Sequence, residues 1–255
     1  MKTPRITQIL LVLATLAISP AAHALFVNPG AGDVILGTGD DAVFPVGALP
    51  AGFTYFGAVP PANLRASTNG NLNFAGSTAF NDVGFPTAVG GGMIAPFWDD
   101  LNFSGAGSGP FLLNNTVPGQ LTVIWSGVPA FGTTTFNTFE AVLFGTGNAR
   151  GFLPGTIVLS YGNLGGLADA NATIGLMSPD GTNFVTHAPL VGGGTNGVIS
   201  ATSLSMLSNK DFIFTPVGNT YAVAVLIPEP STYALAIAGL GLLGCMQRFR
   251  SSRKV

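Results

Sequence analysis

Between Leu25 and Ile227 the apolar residues come in short runs broken by Gly, Pro and Asn at fairly regular spacing, and no amphipathic helix pattern reaches a convincing length. Such a pattern is the signature of a sandwich or barrel. The clearest runs are Met93–Trp98, Leu121–Trp125, Thr135–Phe144, Ile157–Tyr161, Ala172–Met177, Asp211–Thr215 and Tyr221–Ile227. Alternate side chains of a strand share a face, so Leu121, Val123 and Trp125 line one side, and Phe139, Ala141 and Leu143 do so opposite Glu140. Asn69-Gly70, between Leu64–Ser67 and Leu72–Phe74, predicts a type I′ hairpin in which both turn residues take positive φ. Pro179-Asp180-Gly181 marks another turn. The fold expected is all-β, a Gly-rich antiparallel β-sandwich, flanked by an N-terminal signal helix and a short C-terminal transmembrane helix.

The two flanks break the pattern. Lys2 and Arg5 precede an apolar run from Ile9 to Ile18. Ser19-Pro20 ends it, and Ala22-His23-Ala24 offers small residues at the −3 and −1 positions. These features make residues 1–24 a secretory signal peptide cut between Ala24 and Leu25, which implies the secretory translocase and signal peptidase as partners. Ten apolar residues are too few for a permanent anchor, since spanning takes about 20.

At the other end, Ile227-Pro228-Glu229-Pro230-Ser231-Thr232 leads into an apolar run from Tyr233 to Met246, and then Arg248, Arg250, Arg253 and Lys254. A helix over 233–246, at about 1.5 Å per residue, reaches roughly 21 Å against a hydrocarbon core of roughly 30 Å. Snorkelling arginines stretch that reach, and the basic end stays cytoplasmic. Taken together the segment holds the chain in the inner membrane only transiently. Leu243-Gly244-Cys245 looks like a lipoprotein signal in the wrong place, and Cys245 reads as a packing residue of the helix.

In this order, residues 227–255 closely resemble the PEP-CTERM sorting signal of Gram-negative bacteria: a Pro-Glu-Pro-Ser-Thr motif, an apolar Gly/Leu/Ala helix and an arginine-rich terminus. The resemblance implies that an exosortase recognises Pro228, Glu229 and Pro230 and cleaves nearby. Two prolines hold that backbone extended, the form in which a protease binds it. The domain division expected is therefore 1–24, signal peptide; 25–227, exported β domain; 228–255, sorting signal.

Composition narrows the middle segment further. About 200 residues are enough for one domain with a real core. The chain has 36 Gly and 18 Pro, about a fifth of its length, but also 47% hydrophobic residues and 19 Phe, so burial can offset the cost of ordering the backbone. From Leu25 to Ile227 only Arg65, Arg150 and Lys210 face ten acids, which leaves that stretch at −7. No nucleic-acid partner fits such a surface. The single cysteine, Cys245, lies outside the domain, so no disulfide can form within it.

The order of the β runs also resembles the nidogen-like extracellular β domain. The matching stretches are Ser67-Thr68-Asn69-Gly70-Asn71-Leu72-Asn73-Phe74 and Ile94-Ala95-Pro96-Phe97-Trp98-Asp99-Asp100, then Thr122-Val123-Ile124-Trp125 with Val128. Asn137–Leu143, Ile157–Tyr161 and Ala172–Gly175 complete a resemblance over 67–175. It implies an extracellular adhesive or matrix-associated module, and it supplies no ligand.

Candidate chemistry is sparse. His187 is the domain's only histidine, so a His-rich zinc site is excluded and any Ser-His-Asp triad must use it; without a Gly-x-Ser-x-Gly elbow it reads as a loop histidine. Asp99 and Asp100 adjoin Trp98, as a glycan site would require, but adjacent strand residues point to opposite faces, whereas glycosidases need two facing carboxyls; Glu140 is a conceivable second acid. Asp99, Asp100 and Asn102, or Asp33, Asp40 and Asp41, could offer oxygens to calcium, yet neither has ordered ligand spacing, and both read as solvated turns. Gly90–Gly92 and Gly192–Gly194 lack the partners of a phosphate cradle and read as loops. The expectation is a non-enzymatic surface or extracellular-matrix protein without catalytic residue, cofactor or metal, sorted by an exosortase and associated with exopolysaccharide or biofilm matrix. The alternative is a glycan-binding or glycan-cleaving protein using acids near Trp98.

Overall fold

The computed structural model describes residues 32–80 and 84–226. The signal-peptide residues Ala22, Ala24 and Leu25, the Pro228-Glu229-Pro230 motif, the helix at 233–246 and the basic end Arg248, Arg250, Arg253 and Lys254 lie outside them.

Two antiparallel sheets face each other. Sheet 1 runs in the order β1 (Val34–Gly37), β6 (Phe111–Asn114), β7 (Gln120–Pro129), β8 (Phe136–Phe144), β9 (Ile157–Leu164), β13 (Asp211–Val217), β14 (Thr220–Leu226). Sheet 2 runs β11 (Phe184–Val185), β10 (Asn171–Met177), β5 (Met93–Trp98), β4 (Asn71–Asn73), β3 (Arg65–Ser67), β2 (Val43–Pro45), with β12 (Val198–Ser200) also pairing β10. Helix among the described residues is limited to Leu204–Leu207 and two short 3-10 turns.

Alternation along β7, β8 and β9 builds the core. Their register aligns three inward rows: Leu121–Leu143–Ile157, Val123–Ala141–Leu159 and Trp125–Phe139–Tyr161. All nine side chains are buried in one cluster. Trp125 stacks on Phe139 with ring centroids 5.0 Å apart, and Phe139 meets Phe97 of sheet 2 at 5.4 Å. Aromatic pairs at these separations add to the apolar burial itself. The outward residues Val142, Phe144, Val158 and Ile213 form a second, smaller cluster.

A bulge in β5 sets what the two faces of sheet 2 carry. Trp98 pairs with Thr173 and Ala95 with Gly175, so three steps on β5 match two on β10. The extra residue reverses the alternation. Ile94 and Phe97 point into the main core, whereas Met93, Ala95 and Trp98 join Phe85 and Met177 in a separate cluster. The Trp98 indole N–H donates to the Ala79 carbonyl at 2.7 Å, which draws the loop after β4 over it.

The hairpin at Asn69-Gly70 differs from expectation. Ser67 pairs with Asn71, so the loop holds three residues, Thr68, Asn69 and Gly70. Only Gly70 has positive φ, at 71°. This is the geometry of a three-residue loop closed by a left-handed glycine, not of a type I′ turn. Neighbours impose the extra residue: the Thr68 N–H donates to the Ala42 carbonyl at 2.8 Å, and the Phe97 N–H to the Gly70 carbonyl at 3.2 Å. Gly70 is also the one residue that fits, since a Cβ there would lie 1.8 Å from the Phe97 carbonyl oxygen.

Candidate functional site

The densest polar construction lies around this hairpin. Asn69, Asn71 and Asn73 alternate along the chain and are fully buried, as are Ser67 and Thr68. Buried amides must find partners or cost several kcal/mol (about 1–3 each). Here each does. Asn69 Nδ2 donates to Asp41 Oδ1 at 2.7 Å and to the Thr78 carbonyl at 2.8 Å, while its Oδ1 accepts the Leu101 N–H at 3.1 Å. Asn73 Nδ2 donates to Asn71 Oδ1 at 2.8 Å and to the Ser77 carbonyl at 3.1 Å, and Asn73 Oδ1 accepts the Ser77 N–H at 2.8 Å. Trp125 Nε1 donates to the Ser67 carbonyl at 2.9 Å and ties the hairpin to sheet 1. One side chain, Asn69, thus holds three separate loops in place. The Asn-x-Asn-x-Asn spacing stands in the sequence, but the loops these amides anchor are not legible there.

Those loops carry the acids. Asp40, Asp41 and Asp100 place carboxylate oxygens within 4.8 Å of one another, because Asp40 bridges to Asn102 and Asn69 fixes Asp41. Partial burial, and then the charges of Asp40, Asp41 and Asp169, raise the Asp100 carboxyl to about 6. Burial and then the Asp41 charge also raise Asp40. The grouping cuts across the two calcium sets considered from the sequence. Asp33 accepts from Asn114 Nδ2 at 2.7 Å instead, and Asn102 Oδ1 accepts the Ser104 N–H at 2.6 Å. Three carboxylates are hard oxygen donors, but a calcium ion takes six to eight oxygens, so backbone or water would have to supply most of the shell.

Asp99 has a different role. It is buried, its Oδ1 accepting the Asp100 N–H and its Oδ2 the Ala168 N–H, both at 2.9 Å. Burial raises its carboxyl to about 7, against those two bonds, which lower it. It is an anchor for the loop after β9.

Asp99 and Glu140 do not pair at Trp98, and the indole offers no stacking platform for a glycan. The indole is fully buried. Glu140 sits on the outward side of β8, between Ile124 and Ser160, whereas Asp99 follows β5 of the other sheet.

His187 lies in a loop, as expected, but it is closed off from solvent. It precedes the 3-10 turn Ala188–Val191 and is completely buried, its ring 4.2 Å from that of Phe212. The Tyr161 hydroxyl lies 2.6 Å from the Pro96 carbonyl, to which it must donate, and 2.8 Å from His187 Nε2. Its lone pair therefore accepts a hydrogen bond from the Nε2–H, and the imidazole is the neutral Nε2–H tautomer. Burial lowers the histidine to about 3, and Nδ1 has no partner. With Tyr161 on one nitrogen and nothing on the other, no Ser-His-Asp triad forms around it.

Residues 19–216 match the family described as NIDO related. The chain belongs to the NIDO-related family. Its domain match extends well beyond the 67–175 stretch that carried the resemblance, taking in β1 and β2 before it and β13 after it. Following the NIDO-related domain, residues 226–254 match the PEP-CTERM protein-sorting motif. That motif entails export, anchoring in the membrane through the C-terminus before cleavage, and an exosortase as processing partner. No curated protein and no solved structure matches the chain.

Proposed function

We propose that this NIDO-related protein is a non-enzymatic module of the cell surface or extracellular matrix of a Gram-negative bacterium. It enters the secretory translocase by its first 24 residues, is cut by signal peptidase after Ala24, and is held briefly in the inner membrane by its C-terminal run. An exosortase acting at Pro228-Glu229-Pro230 then releases the domain into, or attaches it to, exopolysaccharide or biofilm matrix.

The observation that carries this reading is a sorting motif that starts at residue 226, directly where the sandwich ends. Its non-enzymatic part is supported by the fate of the candidate groups: the histidine is sealed beside Tyr161, Asp99 is spent on backbone N–H groups, and Glu140 lies in the other sheet. Pulse-labelling in a strain with an active exosortase tests the processing. Full-length chain should chase to a form lacking residues 228–255, and a chain that keeps its C-terminal run throughout the chase overturns the proposal. For the matrix role, the processed protein should co-fractionate with exopolysaccharide and leave the polymer's chain length unchanged; depolymerisation lost in Asp99→Asn or Glu140→Gln would show an enzyme instead.

A further inference from the structure

Sheet 1 ends in β14, and among the described residues no strand hydrogen-bonds to its outer edge, although β11 of sheet 2 packs close to it. The other open edges are each interrupted. β1 has four residues and a register shift between Ile35 and Gly37. β2 has three and ends in Pro45, which has no N–H to donate. β11 has two. Short length, bulges and proline are the devices that keep sheet edges from pairing with other chains.

β14 has none of them. Its seven residues pair with β13 in unbroken register, from Val217–Thr220 to Asp211–Leu226. The strand contains no charge, no Pro and no Gly. Thr220, Ala222 and Ala224 are small and exposed, while Tyr221 is buried and Val223 and Val225 pack against the main core. Pro228 and Pro230 follow immediately and limit how far pairing can run.

We propose that β14 is a dimerisation edge: a second copy of this chain lays its own β14 antiparallel alongside, about a two-fold axis, so that the two sheets 1 become one continuous sheet. Antiparallel pairing of identical strands is self-complementary and closes after two copies. Charge favours this surface over others. The stretch from Leu25 to Ile227 carries −7, so copies repel wherever carboxylates meet. Along β14 there are none, and β13 brings one only at its far end, in Asp211. The inference concerns the folded domain and stands apart from the sorting reading.

Sedimentation of the exported protein over a wide range of concentration tests it, together with Ala222→Lys/Ala224→Lys, which places two like charges on the proposed seam without touching the core. The wild type should dimerise reversibly; the double variant should stay monomeric with an unchanged melting temperature; and Ile35→Lys, on the opposite edge, should still dimerise. In a Cys245→Ser background, cysteines placed singly at 220, 222 and 224 should give a disulfide dimer only nearest the axis, where a residue faces its own counterpart. A wild type monomeric throughout, a dimer that survives the double lysine variant, a dimer lost on Ile35→Lys, or open-ended polymers would each overturn the proposal.

Discussion

Asp99→Asn makes the buried carboxyl measurable. In the folded protein burial holds Asp99 at about 7, against an ordinary value of 3.8. Between those values the native state keeps a proton that the unfolded chain has lost, so this group's contribution falls as pH rises from about 4 to about 7. Each pH unit across that window is worth about 1.4 kcal/mol, and the whole interval about 4 kcal/mol. The wild-type profile alone does not isolate it. His187 is lowered from 6.5 to about 3, so its contribution runs the other way and weakens as pH falls below about 6.5. Asp100, raised to about 6, has the same sign as Asp99. The difference between wild type and variant removes both. Thermal melts at pH 4, 6 and 8 should show Asp99→Asn gaining on the wild type by about 4 kcal/mol over the series, a relative shift on the order of 10 °C for a domain of this size. The loss of the bond from the Ala168 N–H displaces the whole curve without altering its slope. A melting-temperature difference constant within a few degrees from pH 4 to 8 would refute the assignment of a buried, protonated Asp99.

Two further variants test the hairpin. Gly70→Ala combines positive φ with a Cβ 1.8 Å from the Phe97 carbonyl oxygen; it should cost well over ~2 kcal/mol, read as a loss of soluble yield or a large fall in melting temperature. Asn69→Asp keeps the acceptor for the Leu101 N–H but replaces the donor facing Asp41 and the Thr78 carbonyl with a second charge; it should destabilise by about 3–5 kcal/mol at pH 8 and by clearly less at pH 4, where the new carboxyl takes up a proton.

Much of the sandwich was legible because its central strands are long and patterned. Met93–Trp98 was read with the bounds it has, and the inward triplets of β7 and β8 followed from alternation alone. The strands left unread, β1, β2, β6, β11 and β12, have two to four residues each, too few for a period of two to stand out. Asn69-Gly70 announced a turn correctly, but dipeptide chemistry does not count loop residues; pairing with Ala42 and Phe97 did. The acid cluster was illegible for the same reason. Asp40 and Asp100 belong to distant parts of the chain, brought together by the bridge from Asp40 to Asn102. His187 does lie in a loop, as its sequence neighbourhood suggested, but the space beside Tyr161 that swallows its ring is a tertiary fact.

The strand order bears on the sequence in which the sandwich can assemble. In sheet 1, from β6 through β9, each strand lies beside its predecessor in the chain, and β13 and β14 close the edge in the same sense. A polypeptide emerging N-terminus first can lay this sheet down one strand at a time, each arrival finding a fresh template. Sheet 2 does the same from β2 through β5, before β6 has emerged, and only its pairing of β5 with β10 waits for a later part of the chain. Because β10, β11 and β12 arrive before β13 and β14, both layers close only when the last third of the domain is in place, and those non-local pairings are the slow step of its maturation.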